Sequence, residues 1–190
     1  MRFFTPELLD RFGSEDDSIA LEAHHELEAR SENYSQQLRQ IEEKLPQRLR
    51  ALLEQFYLHD SRVISQSSFG VSQPGELGHT ELSELTHGAK RSADDRRLPS
   101  FWILLQLDTP PREILVLQYR SVLIEEARLH QSPGDEDCPY LEWLYDEVEL
   151  IPRGRDNEFC HSILFTKGLE LRLRFEDFDF AALKPIGIAP

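Results

Sequence analysis

The stretch EFCHSILFTKGLELRLRFEDF (residues 158–178) decides the fold of this chain. Its second half alternates between apolar and charged side chains, a period typical of a strand with one buried face. The apolar positions are Leu169, Leu171, Leu173 and Phe175, and the charged positions, predicted to face outward, are Glu170, Arg172 and Arg174. Thr166, Lys167 and Gly168 have the composition of a tight turn. The stretch therefore predicts a β-hairpin and an antiparallel sheet.

Segments before the hairpin extend this sheet. SFWILLQLD (residues 100–108) and REILVLQYR (residues 112–120) predict two strands joined by a short turn, and RVISQSSF (residues 62–69) predicts a weaker one. YLEWLYDEVELI (residues 140–151) predicts another strand with Asp146 on its apolar side. On that side we expect Leu144, Val148 and Leu150, and on the other Trp143, Tyr145, Glu147 and Glu149. The total is about five or six strands.

The first third of the chain has a helical pattern. Thr5-Pro6 is a typical helix start, and Ser14 is expected to cap a second, longer helix. Pro46 interrupts the apolar stripe, which continues to about Leu58. These elements predict an α+β fold in which an N-terminal helical layer packs on one face of a mostly antiparallel sheet.

The length of 190 residues predicts a single domain, with residues 1–58 helical and residues 61–190 forming the sheet. Residues 71–99 are polar and rich in glycine, and we expect them to form a flexible insertion. His79 and His87 lie in this segment, where two histidines alone are a weak indication of a site.

The composition narrows the classes of partner. A net charge of −14 argues against nucleic acid, because binding to the phosphate backbone needs clustered lysine and arginine. The N-terminus lacks the apolar core of a signal peptide, and no window approaches the roughly 18 apolar residues of a membrane-spanning helix. Cys138 and Cys160 match no zinc or redox spacing. We therefore expect a cytoplasmic protein with reduced cysteines that binds neither membranes nor nucleic acid.

The first candidate for chemistry is FYLHDSRVI (residues 56–64), where the helical pattern meets the sheet pattern. There, His59 and Asp60 form either a metal-binding or acid–base pair, or a structural junction. In the structural alternative, the histidine interacts with the helix dipole and the aspartate caps free backbone groups. The structural alternative is favoured because no third metal ligand is nearby in the sequence.

The second candidate is His161, which shares a strand face with apolar residues and therefore needs a buried hydrogen-bond partner. Asp146 is the one acid on the apolar side of its own predicted strand. If the two strands pair, Asp146 and His161 meet as either a structural pair or an acid–base dyad. A structural pair is favoured, because no nucleophile accompanies them.

Aromatic residues offer a third kind of candidate. Trp102, Tyr119, Trp143 and Tyr145 line a ligand groove if they are exposed, or belong to the core if they are not. The sequence contains no nucleophile elbow, phosphate-binding loop or HExxH motif.

Four segments together carry a family resemblance, namely MRFFTPELL, LHDSRV, WLYDEVEL and HSILFTKGLELRLRFEDF. In these segments the chain resembles a family of uncharacterised bacterial proteins, a domain of unknown function that opens with Phe-Thr-Pro-Glu-Leu. The resemblance covers nearly the whole chain except residues 71–99, where family members have a short turn. It implies no activity. The motif positions that it implies are His59, Asp60, Trp143, Tyr145, Asp146, Glu147, His161 and Gly168.

Two hypotheses of function follow. The first is a non-enzymatic domain that binds a protein or a small molecule at an open apolar or aromatic surface. The second is a metal-dependent, hydrolase-like protein, which requires three separate segments to bring their side chains within ligand distance. Its residues are His59, Asp60, Asp146, Glu147 and His161. The sequence identifies no cofactor, and the missing catalytic motifs favour the binding domain.

Overall fold

We describe a computed structural model of the chain, which covers residues 1–73, 76–80, 98–110, 112–129, 140–153 and 156–184. Three helices come first: α1 (Pro6–Phe12), α2 (Asp17–Ile41) and α3 (Gln47–Gln55), with a 3₁₀ turn, Glu42–Lys44, before α3. Eight strands follow, β1 to β8. Among the described helices, none has both the length and the apolar character needed to cross a bilayer.

The helix boundaries follow local capping chemistry. The Thr5 hydroxyl accepts a hydrogen bond from the Leu8 amide, and Pro6 occupies the first turn, as the sequence predicted. The cap of α2 is Asp16, which accepts from the amides of Ser18 and Ile19, and the prediction of Ser14 was wrong by two residues. Helix α3 ends at Gln55 rather than near Leu58, because residues 56–58 leave the helix in an extended path towards the sheet.

The strands form an antiparallel sheet in the order β2-β1-β3-β4-β7-β6-β5. Their bounds are β1 Ser61–Gln73, β2 Glu76–Thr80, β3 Leu98–Gln106, β4 Ile114–Leu129, β5 Glu142–Arg153, β6 Asp156–Phe165, β7 Leu169–Phe175 and β8 Asp177–Leu183. The predicted hairpin is β6 and β7, which turn at a 3₁₀ segment, Thr166–Gly168. Strands β7 and β8 are separated only by Glu176 and pair in turn along β4. The α+β class is confirmed, with eight strands instead of five or six.

The sheet closes on itself. Its two distant strands, β1 and β5, are also hydrogen-bonded, with Ser61 opposite Trp143 and Arg62 opposite Glu142. The amides of Asp60 and Val63 donate to the carbonyls of Trp143 and Leu141, at 2.8 Å each. We call this junction of β1 and β5 the seam. Because the strands form a ring, one set of side chains faces an enclosed interior.

A β-bulge changes the side-chain alternation of β5. The pairing register with β6 shifts between Trp143 and Tyr145, so that Trp143 lies on the interior side with Asp146 and Val148. The expectation that Trp143 faces away from Asp146 was therefore wrong, because a bulge inserts an extra residue that simple alternation does not anticipate. Leu169, Leu171, Leu173 and Phe175 are buried as predicted.

The helices cover the remaining openings of the sheet. Leu49 and Leu52 of α3 belong to the same buried cluster as Phe101, Leu117 and the inward residues of β7. On α2, the Tyr34 hydroxyl accepts a hydrogen bond of 2.9 Å from the Val148 amide, on the edge of β5 beyond the seam. An unpaired strand edge is thereby shielded from pairing with another chain.

The proposed insertion at residues 71–99 lies partly inside strands. Residues 71–73 end β1, residues 76–80 form β2, and residues 98–99 begin β3. His79 is in β2, whereas the rest of the segment, including His87, is outside the described residues. Cys160 is buried in β6, and Cys138 also lies outside the described residues.

Candidate functional site

Four residues form a hydrogen-bonded network in the interior, and we call it the interior network. The Tyr119 hydroxyl lies 2.9 Å from His161 Nδ1, and His161 Nε2 lies 3.0 Å from Asp146 Oδ2. Trp143 Nε1 donates to Asp146 Oδ1 at 3.0 Å. Tyr119, Trp143 and His161 are fully buried. The expected contact of Asp146 with His161 is present, and it continues through Tyr119 and Trp143.

The hydrogen bonds of the interior network engage both ring nitrogens of His161. Burial, and after it the charge of Asp146, raises the pKa of Tyr119 well above its ordinary value, so its hydroxyl stays protonated. With a neutral imidazole, this hydroxyl donates to Nδ1 and the ring donates its Nε2 proton to Asp146. Both nitrogens of the imidazole are occupied, which leaves neither of them to take a proton from a substrate. The arrangement supports a structural pair rather than an acid–base dyad.

The second group of candidates lies on the outer side of the seam. The His59 imidazole contacts the Asp60 carboxylate, with Nδ1 to Oδ1 at 2.9 Å. Its ring meets Tyr145 edge to face, with centroids 5.0 Å apart at 80°, and lies nearly parallel to Tyr57, with centroids 5.8 Å apart at 19°. Tyr57 is 69% exposed. The three rings and the carboxylate form one open surface.

Asp60 adopts a left-handed backbone conformation, with φ of 62°. Side chains other than glycine rarely take it, although aspartate and asparagine tolerate it best. The conformation closes a turn in which the Ser61 amide donates to the Leu58 carbonyl at 3.0 Å. Such backbone strain is found preferentially at binding and catalytic sites.

The aromatic surface continues along the seam. Ile64 and Tyr140 lie two residues beyond the Arg62–Glu142 pair, and both are exposed. The guanidinium carbon of Arg62 is 3.2 Å from the centroid of the Tyr140 ring. We call this set the seam surface, and its residues are Tyr57, His59, Asp60, Arg62, Ile64, Tyr140 and Tyr145.

Glu147, the remaining acidic candidate, lies on the outer face of β5 beneath the N-terminal segment. Its carboxylate accepts three backbone hydrogen bonds, from Arg2 at 2.8 Å, Phe3 at 2.6 Å and Phe4 at 2.8 Å. The α-amino group of Met1 pairs in the same region with Glu170. Glu147 and Glu170 are both buried, because the N-terminal segment covers them, and Glu170 of the predicted outward set is therefore not exposed.

The five polar candidates therefore lie in three places. Asp146 and His161 are in the interior, His59 and Asp60 are on the seam surface, and Glu147 holds the N-terminal segment. Among the residues that the structure describes, no three histidine, cysteine or acidic side chains are grouped closely enough to hold a metal ion.

The four candidate aromatic residues also lie in different environments. Tyr119 and Trp143 are enclosed in the core and line no groove, and Trp102 is half-buried with its indole N–H donating to the Ser100 hydroxyl at 3.0 Å. Tyr145 alone among them belongs to an open aromatic surface of the described residues. Burial, and after it the proximity of Tyr57 and Asp60, raises the pKa of Tyr145, so it remains a neutral phenol at physiological pH.

Sequence reasoning missed the partners of Tyr145. Tyr57, which after burial is the largest cause that raises the pKa of Tyr145, lies near the end of the predicted helical stripe and is marked by no motif. Phe4, whose ring stacks on Tyr145, lies more than a hundred residues away from it in the chain. The one local signal was the density of aromatic residues in FYLHD and in YLEWLY.

The chain matches no protein-family model and no curated protein. The resemblance of its sequence to a family of uncharacterised bacterial proteins stays a prediction. A proposal of function therefore depends on the geometry of the described side chains.

Proposed function

We propose that the protein is a non-enzymatic interaction domain and that its seam surface binds a basic segment of a partner protein, with an arginine side chain at the centre of the contact. The observation that carries this proposal is the exposed aromatic groups at the seam, where Tyr57, His59 and Tyr145 are in ring contact and Arg62 stacks on Tyr140. The described residues have seven large exposed hydrophobic side chains, and three of them, Tyr57, Ile64 and Tyr140, lie on the seam surface. Clusters of this kind mark interaction surfaces.

The negative charge of the chain, rather than that of the seam surface itself, favours a cation, because the seam surface holds Arg62 as well as Asp60. The chain has a net charge of −14, and Asp60, 57% exposed at its side chain, stands beside the aromatic rings. Arginine suits such a site, because its planar guanidinium stacks on an aromatic face while its N–H groups bond a carboxylate. The protein already contains this contact in the stacking of Arg62 over Tyr140.

The metal-dependent alternative has less support. It requires His59, Asp60, Asp146, Glu147 and His161 to converge, and they lie in three places among the described residues. His161 and Asp146 are already hydrogen-bonded to Tyr119 and Trp143. The Glu147 carboxylate is already hydrogen-bonded to three backbone amides. No observation on these residues favours hydrolysis over binding.

Titration calorimetry and NMR shift mapping with a capped tri-arginine peptide test the proposal. We expect binding that weakens at high salt, shifts at Tyr57 and Tyr145, weaker binding of tri-lysine and none of tri-glutamate. Asp60→Asn keeps a residue that tolerates the left-handed backbone and removes the charge, and Tyr57→Ala removes the outer ring. Each is expected to weaken binding about 2- to 5-fold.

The control is Phe12→Ala, which removes another exposed ring, 43% exposed against 69% for Tyr57, from α1, far from the seam in the chain. It is expected to bind tri-arginine like the wild type. Equal binding of tri-arginine and tri-glutamate, or shifts that avoid the seam surface, would refute the proposal.

A further inference from the structure

The N-terminal segment reaches the seam surface through one aromatic contact. The Phe4 ring stacks on Tyr145, with centroids 4.8 Å apart at 18°. Tyr145 in turn presents its ring edge-on to His59, 5.0 Å away. Phe4 is buried beneath the surface, so it touches no ligand bound to Tyr57 or His59. A path of three contacting rings, one pair stacked and the other edge to face, therefore leads from the segment to the proposed binding site.

The segment itself is held firmly. Consecutive amides of Arg2, Phe3 and Phe4 converge on the Glu147 carboxylate, which is only 1% exposed. Hydrogen bonds to a buried charge are roughly twice as strong as those between neutral groups. The carbonyl of Phe3 accepts a further bond of 3.2 Å from Arg30 of α2. Both polar groups of the peptide that precedes Phe4 are thus held, the amide by Glu147 and the carbonyl by Arg30.

We propose that Phe4 is a positioning residue, which orders the Tyr145 ring and thereby raises the affinity of the seam surface for its cationic ligand. This inference rests on the proposed function. A half-buried tyrosine otherwise samples several rotamers, and a ligand must immobilise it on binding. A ring that is already stacked avoids that loss, so the clamp of Glu147 on residues 2–4 prepares a site on the other side of Tyr145.

Phe3 provides a matched control. Phe3 and Phe4 are neighbours, both are buried, and both rings contact Tyr34, at 5.6 Å and 5.7 Å. Among the ring contacts of the described residues, Phe4 alone of the two reaches Tyr145. Phe3→Leu and Phe4→Leu therefore remove similar apolar area, and only Phe4→Leu removes the stacking on Tyr145.

The experiment measures the affinity of capped tri-arginine for the wild type and for both leucine variants. We expect Phe4→Leu to weaken binding about 3- to 10-fold, Phe3→Leu to leave it within 2-fold of the wild type, and Phe4→Trp to restore it. Equal effects of the two leucine variants would overturn the positioning role while leaving the proposed function intact. Absence of tri-arginine binding by the wild type would overturn both.

A second readout covers the case in which the leucine variants fail to fold. Phe4→Trp and Phe3→Trp keep a ring at each position, and a larger ring current at Phe4 must shift the ring protons of Tyr145, on which Phe4 stacks. Phe3→Trp must leave these signals in place. If Phe4→Trp does not shift the Tyr145 ring protons, the stacking does not exist in solution and the inference is wrong.

Discussion

Replacing Asp146 by alanine removes the shared acceptor of the interior network. Two donors lose their partner, Trp143 Nε1 and His161 Nε2, each 3.0 Å from an Asp146 oxygen. Trp143 and His161 are fully buried and the Asp146 side chain is 19% exposed, so solvent replaces the carboxylate only in part. A buried donor left without an acceptor costs about 1 to 3 kcal/mol, and two of them therefore cost about 2 to 6 kcal/mol. In a domain of this size, each kcal/mol lowers Tm by about 2 to 4 °C.

Urea unfolding followed by tryptophan fluorescence, together with thermal melting by circular dichroism, measures this loss. The control is Asp177→Ala, which makes the same substitution in an exposed ion pair with Arg120 and is expected to cost less than about 1 kcal/mol. If both variants lose the same free energy of unfolding, the interior network does not stabilise the fold.

A double variant separates the network from simple loss of packing. In the Asp146→Ala background, the His161 imidazole is already without its acceptor, so His161→Leu should cost less there than in the wild type. We expect a coupling energy on the order of 1 to 3 kcal/mol. Additive losses would show that the hydrogen bond between the two side chains contributes nothing.

Three further variants test other contacts. Glu147→Gln should lower the free energy of unfolding by about 1 to 3 kcal/mol and speed hydrogen exchange at the amides of residues 2–4, and unchanged exchange would contradict the clamp. Ser61→Ala removes a buried hydroxyl that has no hydrogen-bond partner among the described residues, so stability should be unchanged or slightly higher, whereas a loss above about 1 kcal/mol would reveal a partner. A hydrogen bond from Arg48 is the main cause that lowers the pKa of Asp179. Because the folded state favours the charged carboxylate, Asp179 contributes to the free energy of unfolding above about pH 4, and this contribution is lost as the pH falls further. Asp179→Asn should therefore cost less than about 1 kcal/mol at pH 7 and progressively less as the pH falls below about 4, and a constant difference in urea midpoints would contradict this assignment.

The elements that could be predicted from the sequence are those that depend on local chemistry. The start of α1 at Thr5-Pro6 and the β6–β7 hairpin follow from caps, turn residues and a strict period of two. The contact of Asp146 with His161 was predictable for a related reason, since each is a polar residue on an apolar face and needs a partner.

The remaining features depend on contacts between distant segments. The bulge in β5 moved Trp143 to the interior, and a bulge is decided by pairing with β6 rather than by β5 alone. Glu147 and Glu170 have the pattern of exposed residues, and only the N-terminal segment folded over them makes them buried. The seam surface could not be predicted from the sequence for the same reason, because it brings residues around position 59 next to residues around position 145.

The closure of the sheet also affects the order in which its contacts form and break. The seam joins Ser61 to Trp143, 82 positions apart (143 − 61), through two residue pairs, whereas β5 and β6 are joined by ten. Contacts of such long range meet a large loop-closure entropy, so the seam forms late in folding and opens early in unfolding. The proposed ligand of the seam surface would contact residues on both sides of this junction and would bind the closed ring in preference to the open one. Its binding energy would then add to the stability of the closed form.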